Sequence, residues 1–75
     1  MEFQQDLDAR GMACPMPIVK TRKLLKGMND GEVLRVTATD PGSAQDMRAF
    51  CEQTGTEMMS ATEEGGEYRF LLRKH

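Results

Sequence analysis

Between Phe3 and Lys74 the spacing of apolar residues switches repeatedly between two and three-to-four, and this alternation constrains the fold more than any other feature. Phe3 to Asp8 alternates, with Phe3, Gln5 and Leu7 on one side and Gln4, Asp6 and Asp8 on the other, which predicts a strand. Arg10-Gly11 breaks the pattern. From Pro15 to about Met28 the spacing becomes helical. Ile18, Thr21, Leu24, Leu25 and Met28 share one stripe, and Arg22, Lys23 and Lys26 lie opposite it, with Met16 and Val19 among them. Gly27 or Asn29 can end this helix, and Asp30-Gly31 supplies a turn.

Glu32 to Thr39 alternates again, with Leu34, Val36 and Ala38 facing one way. Asp40-Pro41 reads as a helix start, Asp at the N-cap and Pro at the first helical position. The second helix runs to about Thr54 on a stripe of Ala44, Met47, Phe50, Cys51 and Thr54, with Gly55 as its C-terminal cap. Glu57 to Glu63 predicts a strand whose face is ambiguous, because Met58 and Met59 are adjacent. Gly65-Gly66 signals a hairpin, and Tyr68 to Lys74 closes the chain with Tyr68, Phe70 and Leu72 on one face. The order β-α-β-α-β-β predicts an α+β fold, a two-layer α/β sandwich. Both helices would cover one face of a mixed four-stranded sheet.

At 75 residues, 1–75 is read as a single domain. A chain this short buries roughly 60% of the surface its unfolded form exposes, so a deep cleft is excluded and specificity must come from docking. Net charge is -2 and aromatic residues make up 5%, with no Trp. A basic surplus and stacking rings are both missing, which disfavours direct nucleic-acid binding. The N-terminus has no basic region followed by an apolar run, and no stretch is long enough to span a bilayer. The expectation is a soluble, cytoplasmic chain without membrane insertion. Lys20, Arg22, Lys23 and Lys26 fall within seven positions with no acid among them. Such a run is either a solvated helix face or a docking patch for an acidic partner.

The two cysteines, Cys14 and Cys51, are separated by 36 residues, and the one His is His75. No CxxC pair or Cys/His cluster exists, so no metal site and no Cys–His catalytic pair is expected. Cys14 falls just before the first helix, where the helix dipole and unpaired N–H groups lower a thiol's pKa. Pro15 and Pro17 fit the first turn, fix its backbone and remove two donors. N–H groups such as those of Met16 and Ile18 are left to hold an anion. An activated Cys without a base suits thiol–persulfide exchange; a buried, inert Cys is the alternative. Cys51 sits in the second helix's apolar stripe and reads as core. Met12 and Met16 are either core filler or a soft rim for a partner.

The string Leu7-Asp8-x-x-Gly11-x-x-Cys14-Pro15-x-Pro17 resembles the signature of the TusA/SirA-like sulfur carriers. The resemblance continues through Met28-x-x-Gly31-Glu32-x-Leu34-x-Val36, Asp40-Pro41, Asp46, Phe50-Cys51 and Gly55. It covers nearly the whole chain in order and implies the same two-layer fold. It also implies that Cys14 carries sulfane sulfur as a persulfide. The donor would be a protein such as a cysteine desulfurase or rhodanese, and the acceptor a protein with a reactive Cys. Family members serve tRNA thiolation, molybdenum-cofactor sulfuration or sulfur oxidation. Asp8, Gly11, Pro15 and Pro17 are then the supporting motif. Met16, Val19, Arg22, Lys23, Lys26 and Asp40 are the candidate docking residues. No cofactor beyond the covalent sulfur is expected, and the carrier is read as a monomeric relay more than a multiple-turnover enzyme. The rival reading is a regulatory or adaptor module that makes no chemical use of Cys14.

Overall fold

The computed structural model describes residues 3–13 and 15–74. Their elements run in the predicted order: β1 (Gln5–Ala9), α1 (Met16–Lys26), β2 (Val33–Ala38), α2 (Ser43–Thr54), β3 (Glu57–Glu64) and β4 (Glu67–Arg73). The sheet order is β1-β2-β4-β3. β1 and β2 are parallel, and β4 pairs antiparallel with both β2 and β3. β2 and β3 therefore point the same way with β4 inserted between them. Each helix returns from the carboxyl end of the strand before it, so both helices start at one end of the sheet.

The inner face of the sheet is continuous. Ala9, Leu34, Val36, Ala38, Phe70 and Leu72 pack in one cluster with Leu25 of α1, Met28 just past its end, and Met47, Phe50 and Cys51 of α2. Within α1 the predicted stripe is buried at Thr21 and Leu25 and half-buried at Ile18 and Leu24; the helix ends at Lys26, and Met28 is buried from the segment beyond it. The radius of gyration is 11.0 Å, as expected of a compact chain of this length.

Three local readings change and one ambiguity is settled. Phe3 precedes β1, and its ring lies under Arg35, 4.3 Å from the guanidinium carbon, on the open face of the sheet; Ala9 takes the inward place beyond Leu7. Asp40 is not the N-cap of α2. Its carbonyl accepts from Ser43 N at 3.0 Å, and its carboxylate accepts from Gly42 N at 3.1 Å. With Pro41 second and Gly42 near φ -83°, ψ -4°, residues 40–43 form a type I turn. That turn delays the helix to Ser43. Thr54 is exposed, its hydroxyl donating to the Phe50 carbonyl at 2.8 Å, while Ser43 is buried in its place on the inner side. The Met58/Met59 ambiguity is settled by a bulge: the register shifts between Met58 and Ser60, leaving Met58 half-buried and Met59 exposed. The hairpin at Gly65-Gly66 joins Glu64 to Glu67 as read.

The outer face carries ion pairs instead of a second layer. Arg35 pairs with Asp6 at 2.9 Å, Arg10 with Asp8 at 2.9 Å and with Glu67 at 3.6 Å, and Arg69 with Glu67 at 3.2 Å. Solvent screens exposed pairs of this kind, and they add little to stability. Among the described residues no helix is long and apolar enough to cross a membrane.

Candidate functional site

The motif residues meet where the two parallel strands end. After Ala9 the chain turns through Arg10 and Gly11. Gly11 has φ +79°, a conformation that costs glycine least. Arg10 donates to Asp8 from its backbone N, Nε and Nη2 at 3.1, 2.9 and 3.0 Å. These bonds hold the Asp8 carboxyl down at about 2, and Asp8 in turn raises the Arg10 guanidinium. Met12 N donates to Ala9 O at 3.2 Å. Gly11 N donates to Thr39 Oγ1 at 2.9 Å, across 28 residues of sequence.

Pro15 is the N-cap of α1 and Pro17 stands in the first turn, buried. The call on Cys14 itself lies outside the described residues, which include its neighbours Ala13 and Pro15 on either side. One detail of the anion reading is corrected. The Met16 N–H donates to Ala13 O at 2.9 Å, and the Ile18 N–H donates to Pro15 O at 3.1 Å. Both donors are engaged in tightening the first turn and are not left free for an anion.

The candidate docking residues divide. Met16 and Val19 are 43% and 50% exposed, large apolar side chains on the outside of α1. Lys23 and Lys26 are exposed in the last turn, where cations also suit the negative end of the helix. Arg22 turns toward α2, its guanidinium carbon 5.7 Å from the centroid of the Phe50 ring. It joins two shallow hollows along the α1–α2 seam, one reaching Pro15 and Ile18, the other reaching Lys26 and Lys74. Asp40 is half-buried in the turn beside Thr39, at the same end as the Cys14 loop. Cys51 is buried in the core, and burial pushes its thiol up. Among the described residues no group of three or more metal-ligating side chains converges.

Thr39 escaped the sequence reading. It falls one residue past the end of β2, and only the parallel register that pairs Ala9 with Ala38 brings it to Gly11. No spacing within the chain reports that register.

A cysteine-bearing loop at a helix start thus lies beside shallow open hollows along the α1–α2 seam. The chain belongs to the TusA sulfurtransferase family, whose family model, sulfurtransferase TusA, matches residues 5–74. It is 52% identical over 73 residues to the sulfur carrier protein TusA of Allochromatium vinosum, covering 97% of this chain and 96% of that one. It is also 52% identical over 68 residues to YrkF of Bacillus subtilis, of which it matches 37%. The crystal structure of a SirA-like protein from Desulfitobacterium hafniense has the same fold. Its TM-score is 0.81 at 22% identity, over 93% of this chain and 96% of that one.

Proposed function

We propose that this sulfur carrier moves sulfane sulfur on Cys14, between a donor protein that carries a persulfide and an acceptor protein with a reactive cysteine. The Cys14 thiolate attacks the outer sulfur of the donor persulfide. The new S–S bond forms on Cys14, the old one breaks, and its electron pair leaves on the donor thiolate. The outer sulfur keeps its oxidation state, so no external oxidant is needed. The second transfer repeats the exchange with Cys14 as leaving group.

The observation that supports this reading is the meeting of the described motif residues, Asp8, Gly11, Pro15 and Pro17, at one end of the sheet. The Asp8 carboxylate holds the Arg10 N–H, the Thr39 hydroxyl holds the Gly11 N–H, Pro15 and Pro17 open α1, and Gly11, Ala13 and Pro15 are exposed. Docking would use Met16, Val19, Arg22, Lys23, Lys26 and Asp40. Transfer into tRNA thiolation, molybdenum-cofactor sulfuration or sulfur oxidation is then a matter of which acceptor docks.

The test is intact-mass measurement after incubation with a cysteine desulfurase and cysteine, or with thiosulfate and a rhodanese. The wild type gains sulfur that a reductant removes, and Cys14→Ser gains none. Absence of any gain in the wild type with both donors would favour an adaptor role.

A further inference from the structure

We propose that Thr39 is a positioning residue for Cys14, its hydroxyl seating the Cys14 loop on the second parallel strand; this rests on the sulfur-carrier reading above. The β1–β2 ladder ends with Ala9 opposite Ala38. Beyond that pair β1 turns away and its backbone can no longer reach β2. Thr39 follows Ala38, and its Oγ1 takes the Gly11 N–H at 2.9 Å. A side chain thus extends the pairing one step past the last backbone bond.

The other bonds on this loop are local. Arg10 N is held by Asp8, and Met12 N by Ala9. Such bonds fix the shape of the turn and leave its place in the molecule free. Arg10 also reaches Glu67, but at 3.6 Å between exposed side chains. Asp8 holds the Arg10 N–H from two residues away, whereas the Thr39 side chain reaches the backbone of this loop from 28 residues away. Thr39 is joined directly to Asp40, whose turn opens α2. One hydrogen bond therefore ties the Cys14 loop to the start of the second helix.

Two consequences follow for the chemistry. The field of α1 falls off within about one turn, so a thiol's pKa depends on where the loop places it. Transfer between two proteins needs the sulfur at a fixed position, and a displacement of about 1 Å can cost on the order of a hundredfold. Gly11 is exposed, so water can take its N–H when the hydroxyl is removed. The fold then survives while the loop loses its seat.

The experiment uses the full chain in a Cys51→Ala background, so that alkylation reports Cys14 alone. Thr39→Val removes the acceptor and keeps the shape; Thr39→Ser keeps the acceptor and removes the methyl. The readouts are the pH profile of alkylation by iodoacetamide, the rate of sulfur loading from a cysteine desulfurase, and the thermal midpoint. With Thr39→Val, the alkylation midpoint should move to higher pH and loading should slow about tenfold, while Thr39→Ser restores both. A wild-type profile and loading rate in Thr39→Val would overturn the assignment. So would failure of Thr39→Ser to rescue, since the methyl would then be the determinant. Should Thr39→Val fail to fold, hydrogen exchange of the Gly11 amide decides the matter. Protection in both wild type and Thr39→Ser supports the bond, and unprotected exchange in either overturns it. Failure of the relay itself has a separate signature: Cys14→Ser would load sulfur like the wild type, whatever the alkylation profile of the Thr39 variants.

Discussion

Helices α1 and α2 lie on the same sheet face, begin at the same end and both lack a side-chain cap. They differ in what they turn outward. α1 exposes Met16 and Val19 beside Lys20, Lys23 and Lys26, with no acid on the helix. α2 exposes Gln45, Arg48, Ala49, Glu52 and Gln53, a mixed face typical of solvated surface. Their cysteines divide the same way: Cys51 is part of the packed core through α2, and Cys14 precedes the first turn of α1. The fold draws on the inner stripes of both helices. An outward surface that is apolar and cationic without an acid belongs to α1 and not to α2.

The hardest test of that division is to exchange the roles of the two thiols. Cys14→Ser is expected to abolish sulfur loading at unchanged fold, whereas Cys51→Ala should load like the wild type. Mass spectrometry of both variants after donor incubation checks this. Loss of loading in folded Cys51→Ala would make α2 a participant in the chemistry and end the comparison as stated.

The next effect is on docking. Charge reversal at Arg22 and Lys26 is expected to slow protein-to-protein sulfur transfer about tenfold at low salt, through lost steering of an acidic partner. Alkylation of Cys14 by a small reagent should stay unchanged. Arg48→Glu on α2 is the control and should leave transfer within about twofold. The difference should shrink in high salt, where screening shortens to about 3 Å. Equal slowing by Arg48→Glu would mean that only the total charge matters.

A smaller effect concerns stability. Cys51→Ala should lower it by on the order of 1 kcal/mol, measured by denaturant unfolding, because a small buried side chain is truncated beside Met47 and Phe50. Burial raises the Cys51 thiol above its ordinary value of 9.0. The folded state therefore keeps its proton where the unfolded chain loses it. Wild-type stability should decline as pH rises above about 9, and this alkaline decline should be weaker in Cys51→Ala.

The sequence displays the element order, both helical stripes and the inner faces of β2 and β4 because each is a local periodicity. Where it misled, a local signal was overruled. Asp40-Pro41 carries the chemistry of a helix start and also that of a type I turn, and Gly42 in third place lets the turn form first. Phe3 continued the alternation of β1 but lies beyond the end of that strand, where a cation on β2 holds its ring. Met16 and Ile18 were read as free donors because capping by the carbonyls of Ala13 and Pro15 leaves no mark on composition. At the site, the family signature named Asp8, Gly11, Pro15 and Pro17 around Cys14 but not Arg10, which stands at a variable position and holds the Asp8 carboxylate. Thr39 was invisible, since its role depends on a strand register 28 residues away.

The smallest predicted effect sharpens the comparison from the α1 side, by asking whether Asp8 shapes the loop or stabilises the fold. Its carboxyl falls from 3.8 to about 2, first through the side-chain bonds from Arg10 and then through the Arg10 backbone N–H. A carboxyl that ionises more readily in the folded state adds stability above its unfolded value. That contribution is lost as pH drops through the folded value, so the window is roughly pH 4 to pH 2. Both partners are more than half exposed, and solvent screening keeps the effect below that of Cys51→Ala. Asp8→Asn should therefore unfold at nearly the wild-type denaturant midpoint at neutral pH and show a flatter acid limb. Its Cys14 alkylation rate should change more than its stability, because Asp8 fixes the turn that leads into Gly11. An NMR titration that places the Asp8 carboxyl near 3.8 would show that the Arg10 bonds do not persist in solution. A large stability loss at neutral pH would instead assign Asp8 to the framework shared by both helices.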